Sequence, residues 1–260
     1  PLVAEFIKQL DKSLIESDVK FFFASYQCTT NTTPEVDANI EAAFLADKGF
    51  NSLSDVPDTV LAQILLNHVI AGSNITSSAL SGSTGYASTL ADGPNSAKLS
   101  LYYDGTSGVT FNGYSNVAIP DVETSNGIVH VVDAVIDLPS IVDHALANSG
   151  FSSLVAALGA ADGDLVTVLS GDGPFTVLAP DDNAFATFLN GAALGDVPTD
   201  ALANILLNHV LGSVVTSTDL VGAGAGYTST LASGPGMSNL SLYFNTTEGV
   251  RFNGVSSVAA

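Results

Sequence analysis

The chain has 260 residues, enough for one large domain or two ordinary ones, either of which buries a full core without help from disulfides or a metal. Its 26 acidic residues against 6 basic ones give a formal net charge of -20, a field that repels phosphate backbones and anionic lipid surfaces and argues against nucleic acid as a partner. Charged residues are only 12% of the chain and hydrophobic ones 46%, the balance of a folded protein with a sparsely charged, Ser/Thr/Gly-rich surface and not of a disordered acidic tail.

The opening stretch, PLVAEFIKQLDKSLIESD, is amphipathic and mixed in charge, without the continuous apolar core of a signal peptide, so the chain reads as a processed or excised window of something longer. No run of about 18 apolar residues occurs, and no membrane span is expected. The first 50 residues hold the aromatic run FFFASY, the single Cys28 and four of the six basic residues, Lys8, Lys12, Lys20 and Lys48. One thiol allows no internal disulfide framework, and Cys28, with no basic neighbour in SYQCTT, reads as a small buried hydrophobe.

A helix is predicted behind Asp55, with Pro57 in its first turn. Leu61, Ile64, Leu65 and His68 recur at helical spacing, which puts the imidazole of His68 on the apolar stripe and leaves Asn67 off it. A histidine so placed usually donates to a backbone carbonyl. Asn67 and His68 are nevertheless candidate binding residues, because two of the chain's four histidines stand in a repeated Asn-His phrase. Gly-rich loops are expected next, and then KLSLYYD, GVTFNG, SNVAI and GIVHVVDAVI read as strands between Gly and Asn turn signals. His130 alternates with Ile128 and Val132 and reads as a core histidine; His144 follows Asp143 directly, and neighbours one apart on a helix do not face each other.

LLNHVI at Leu65 returns as LLNHVL at Leu206, an offset of 141 residues that also aligns GYASTLADGP with GYTSTLASGP and LSLYYDGTSGVTFNG with LSLYFNTTEGVRFNG. A period this long marks tandem domains, 1–138 and 139–260, and not a solenoid. In this register residue 260 matches residue 119, so the second domain is expected to stop before its final strands, leaving an open edge. Helices come first and strands late in each unit, which makes the class α+β. Asn208 and His209 are the second pair of candidate binding residues.

In the second unit GPFTVLAPDDNAFATFL reads as a buried strand, a proline break, an aspartate cap and an amphipathic helix carrying Phe185 and Phe188. Asp181 and Asp182 at a helix start are expected to be caps and not metal ligands. ADGDL at Ala161 lacks the later acidic ligands of a calcium loop and reads as a turn. N-glycosylation acceptor patterns stand at Asn31, Asn74, Asn239 and Asn245. No nucleophile elbow, metalloprotease helix, P-loop or dinucleotide fingerprint occurs, so neither catalysis nor a metal or cofactor is expected.

FTVLAPDDNAF followed by ILLNHVL, together with SNGIVHVVDAVIDLP at the end of the first unit, resembles the fasciclin domain family. The resemblance implies, for each unit, a β-wedge or sandwich with several short helices, found in tandem on secreted and surface-anchored proteins of adhesion and matrix assembly. It implies a non-enzymatic extracellular or cell-surface protein whose partners are proteins or surface glycans, including copies of itself. Two departures stand out. PEVDANIEAAF occupies the place of the first conserved box in unit 1, where only Val36, Ala38, Ala43 and Phe44 fit; the diverged residues 1–50 and the open edge of unit 2 are candidate docking elements for a larger complex or filament. Members linked to integrin-type adhesion carry Tyr-His where this chain has Asn67-His68 and Asn208-His209, so integrin recognition is not expected.

Overall fold

The computed structural model describes residues 21–24 and 38–258. The readings placed on Lys8, Lys12, Lys20, Cys28 and Asn31 lie outside these residues. The chain divides into two compact units, Pro1–Pro139 and Ser140–Ala260.

Unit 1 contains strand β1 (Phe21–Ala24), helix α1 (Ala38–Asp47), helix α2 (Asp58–Asn67), the single-turn helix α3 (Ser77–Leu80), and strands β2 (Thr84–Asp92), β3 (Lys98–Asp104), β4 (Thr110–Phe111), β5 (Ser115–Glu123) and β6 (Ile128–Val132). Asp55 accepts the Ser52 N–H (2.9 Å) and closes a turn ahead of α2. Pro57, with φ -56°, then stands as the cap, so α2 starts one residue after the predicted position. Thr76 caps α3 by accepting the Ala79 N–H (3.2 Å).

The six strands form one sheet in the order β1-β6-β5-β4-β3-β2. The backbone of β1 runs parallel to β6, from Phe21 beside Ile128 to Ala24 beside Val131, and the other pairs are antiparallel. The stretch expected to be Gly-rich loop is instead the nine-residue strand β2. Its small residues hide the alternating pattern, and they are there for close packing. A Cβ on Gly85 would meet the Tyr103 hydroxyl at 2.8 Å, and the neighbouring Tyr86 ring pairs across the ladder with Tyr102 at 5.1 Å. In β5, Asp121 takes φ +56° and shifts the register between Ile119 and Val122. Strand β6 ends at Val132, short of the predicted run. There the Asp133 carboxylate accepts the backbone N–H (2.7 Å) and the side-chain amide (2.9 Å) of Asn116, and the chain leaves the ladder. Ile70, Leu80, Leu101, Phe111, Ile128, Val132 and Ile136 close the core beneath this sheet.

Unit 2 contains helices α4 (Ile141–Ala147), α5 (Ser152–Ala160) and α6 (Leu165–Ser170), strand β7 (Thr176–Val177), helices α7 (Asp182–Leu189) and α8 (Thr199–Leu207), strand β8 (Val210–Leu211), helix α9 (Ser217–Ala223), and strands β9 (Ala225–Ser233), β10 (Asn239–Asn245), β11 (Arg251–Phe252) and β12 (Ser256–Ser257). Reciprocal capping boxes start α4 (Ser140 with Asp143) and α9 (Thr216 with Asp219). The helices close one core through Leu154, Leu158, Leu165, Leu169, Phe185, Leu202 and Leu206. A second core, of Leu220, Leu242, Phe244, Val250 and Phe252, lies under the sheet ordered β12-β11-β10-β9. Each aliphatic side chain so buried contributes about 1.5–3 kcal/mol. Phe185 is buried as its spacing predicts, whereas Phe188, on the same predicted face, is 50% exposed. The segment ADGDL is a turn, with Gly163 at φ +91° and Asp164 at φ +50° leading into α6.

Candidate functional site

The end of α2 brings the Asn-His phrase against residues almost 70 positions later. His68 Nδ1 lies 2.8 Å from the Ile64 carbonyl and Nε2 lies 2.8 Å from the Ile136 backbone N–H. A backbone N–H can only donate, so Nε2 must be an unprotonated acceptor and Nδ1–H must be the donor to Ile64. The geometry therefore fixes a neutral imidazole in one tautomer. Burial pushes its pKa below the usual histidine value, against the weaker opposing pull of the Ile64 carbonyl and the Asp137 carboxylate.

Asn67 is 0% exposed, which corrects the expectation that it lies off the buried face of the helix. The buried face of α2 passes through Ile64 and Asn67, rotated from the stripe read through Leu61 and Leu65, because β2 and the segment after β6 close over that side. The Asn67 amide nitrogen donates to the Asp137 carbonyl (2.9 Å), and its oxygen accepts the Thr89 hydroxyl (3.1 Å). Tyr114 and Lys48 complete the clamp. The Tyr114 hydroxyl accepts the Asp137 N–H (2.9 Å), and the Asp137 carboxylate pairs with Lys48 (2.6 Å), which raises the lysine pKa. Ser115 Oγ donates to the Ala134 carbonyl (2.9 Å). Residues 134–137 are thus held by side chains in place of a strand ladder. The arrangement binds backbone; its polar atoms are spent on partners and present no nucleophile or base.

Unit 2 repeats the helix end. His209 Nδ1 donates to the Ile205 carbonyl (2.9 Å), and the Asn208 oxygen accepts the Thr230 hydroxyl (3.1 Å), as Asn67 does with Thr89. Both Asn208 and His209 are half-buried. The contacts that Ile136 and Asp137 make in unit 1 have no counterpart among the described residues of unit 2.

A second cluster in unit 1 went unread in the sequence. His130 is buried, its Nε2 donating to the Ile75 carbonyl (2.9 Å) and its Nδ1 accepting the Asp121 N–H (3.3 Å). The Asp121 carboxylate accepts the Ser77 N–H (2.8 Å) and the Ser77 hydroxyl, and these bonds hold its pKa below the usual carboxylate value. Ser, Asp and His are gathered, but in the wrong order for nucleophilic catalysis: the serine hydroxyl donates to the aspartate, and both imidazole nitrogens face backbone. The signal available in the sequence was Pro120-Asp121 inside a strand pattern, a bulge signature.

Asp181 and Asp182 each cap a different helix. Asp181 accepts the Ala184 N–H (2.7 Å) at the start of α7, while Asp182 reaches α5, accepting the Ser153 N–H (2.7 Å) and the Ser152 hydroxyl (2.8 Å). Asp143 belongs to the α4 capping box, bonded to Ser140. Among the described residues, no group of three or more His, Cys, Asp or Glu side chains could hold a metal ion. Asn74 and Asn239 are exposed; Asn245 is half-buried, its oxygen accepting the Thr247 N–H (2.8 Å) and hydroxyl (2.7 Å).

Comparison with known proteins matches the fasciclin domain model twice, over residues 23–139 and 149–260. The chain is 40% identical over 109 residues to Protein sll1483 of Synechocystis sp., a match covering 40% of this chain and 59% of that protein. It is 43% identical over 86 residues to the uncharacterized protein sll1735 of the same organism, covering 32% of this chain and 62% of that protein. It is 36% identical over 110 residues to transforming growth factor-beta-induced protein ig-h3 of Sus scrofa, covering 39% of this chain and 15% of that protein. The matches thus span about three-fifths of the two Synechocystis relatives. Among solved structures, a FAS1 domain pair from the insect cell adhesion molecule Fasciclin I is similar, with a TM-score of 0.45 and 18% identity, over 82% of this chain and 77% of that one.

Proposed function

This chain belongs to the fasciclin domain family, and from that premise we propose that it is a non-enzymatic adhesion or matrix protein of the cell surface or extracellular space. It works by burying surface against proteins or glycans, with the exposed strands and loops of its two units making the contacts. The observation that carries this reading is the internal use of the residues best suited to chemistry. Asn67 and His68 bind backbone, His130 is locked between two backbone groups, and Asp181 and Asp182 cap helices. The Asn-His phrases are therefore assigned to architecture in both units, and the binding surface lies elsewhere.

The formal charge of -20 favours partners with a cationic face, and such contacts weaken as salt screens them. Beads coated with the chain should be retained on surfaces bearing matrix proteins or glycans, above albumin-coated controls, less so at high salt, with the surface ligand recovered chemically unchanged. Retention no better than the controls on every surface would refute the proposal. A second reading, a structural subunit of a larger complex or filament, is favoured by Tyr227, 75% exposed on β9 at one edge of its sheet. Sedimentation decides between the two: concentration-dependent assemblies support the subunit, a single monomeric species the adhesion module.

A further inference from the structure

Unit 1 is closed by a histidine that can hold its partner in only one charge state. Residues 134–137 follow the last strand and lead to the boundary with unit 2 at Pro139, and they lack ladder hydrogen bonds. The Ile136 N–H is tied to the unprotonated Nε2 of His68, at the end of α2, at 2.8 Å. Adding a proton to Nε2 would set one N–H against another. The ring cannot compensate by turning over, because Nδ1 is already committed to the Ile64 carbonyl at 2.8 Å. The protonated ring could be satisfied only by moving away from Ile136.

From this geometry we infer that His68 is an acid-operated latch: a proton on its Nε2 releases residues 134–137 from α2 while the β2–β3 core of unit 1 stays folded. The charged groups around the ring are few. Asp137, on the latched segment, is the carboxylate acting on it, and that carboxylate is engaged by Lys48 at 2.6 Å, itself beside Asp47 at 3.1 Å. Thr89 from β2, Asn67 from α2 and Tyr114 from the turn before β5 are the polar neighbours of the clamp, and all are uncharged at neutral pH.

The sign follows from linkage. The folded pKa of His68 is depressed below the unfolded value near 6.5, so the latch is fully closed above about pH 6.5 and is lost as pH falls toward the folded value. The test is hydrogen exchange of the whole chain, followed residue by residue from pH 7.5 to 4.5 and corrected for intrinsic exchange. Protection of the Ile136 and Asp137 amides should fall by up to about tenfold per pH unit between about pH 6.5 and the folded His68 midpoint and level off below it, as expected for a single proton. Leu101 and Tyr102 in β3 should keep theirs, and the ring titration of His68 should mark the pH at which the loss levels off. In His68→Gln, which offers a donor and an acceptor but no titration, protection at Ile136 should not depend on pH over this range. Three results would overturn the inference: His68 titrating with Ile136 still protected, β3 losing protection at the same pH, or His68→Gln showing the same acid-dependent loss as wild type.

Discussion

Replacing Asn67 by Ala tests the clamp at its centre. The substitution removes the donor to the Asp137 carbonyl and the acceptor of the Thr89 hydroxyl. Thr89 keeps an alternative, since its hydroxyl also lies 3.2 Å from the Leu99 carbonyl, so one acceptor, Asp137 C=O, is left without a partner. An unsatisfied acceptor in a partly buried site costs about 1–2 kcal/mol, and the small cavity left by the amide adds about 1 kcal/mol. The expected loss is therefore about 2–3 kcal/mol, confined to unit 1. Asn208→Ala is the internal control. Asn208 is half-buried, its amide meets no backbone carbonyl among the described residues, and Thr230 falls back on the Leu240 carbonyl at 3.3 Å, so less than about 1 kcal/mol should be lost. Exchange protection of Leu101 and Tyr102 reads unit 1, and that of Leu242 and Phe244 reads unit 2, which avoids assuming one unfolding transition for both. Equal effects of the two substitutions, or an Asn67→Ala loss below about 1 kcal/mol, would refute the assignment of Asn67 to the clamp.

Gly105→Ala should destabilise unit 1 by more than about 3 kcal/mol, because the added Cβ would stand 2.0 Å from the Leu80 carbonyl oxygen and backbone cannot yield as a side chain can; denaturant titration checks it. Asp182 is held below the ordinary carboxylate pKa, first by the Ser153 N–H and then by the Ser152 hydroxyl. Its contribution is present above the unfolded value near 3.9 and is lost as pH falls through the lower folded value. Asp182→Asn should therefore make the acid-side loss of unit 2 stability shallower below about pH 4, as read by its thermal midpoint. An unchanged acid profile would show that the tie from α7 to α5 carries no linkage.

The tandem fold was legible because it is written in patterns that survive local reading. The offset of 141 residues, the strands around Leu101 and Phe111, and the helix behind Pro57 all carry their own periodicity or punctuation. Strand β2 was not legible, since its Gly, Ala and Ser residues mimic a loop until Tyr103 packs over Gly85. The burial of Asn67 was not legible either. Helical spacing places it beside the apolar stripe, and only Thr89, 22 residues on, and Asp137, 70 residues on, turn that side inward. The exposure of Phe188 has the same origin: one face of α7 is set by what packs on it, and Phe185 alone reaches the core. The site residues show the contrast most sharply. The histidine's orientation followed from periodicity, while its tautomer and its latch on Ile136 followed from a contact 68 residues away.

The central claim is that this protein acts through its outer surface and that the repeated Asn-His phrase serves the interior. The most direct test is retention of chain-coated beads on the binding surface, compared between wild type and Asn208→Ala at equal coating density and with protection of unit 2 shown to be intact. Equal retention is predicted. Loss of retention by a variant that remains folded would contradict the account and place the contact at the Asn-His phrase itself.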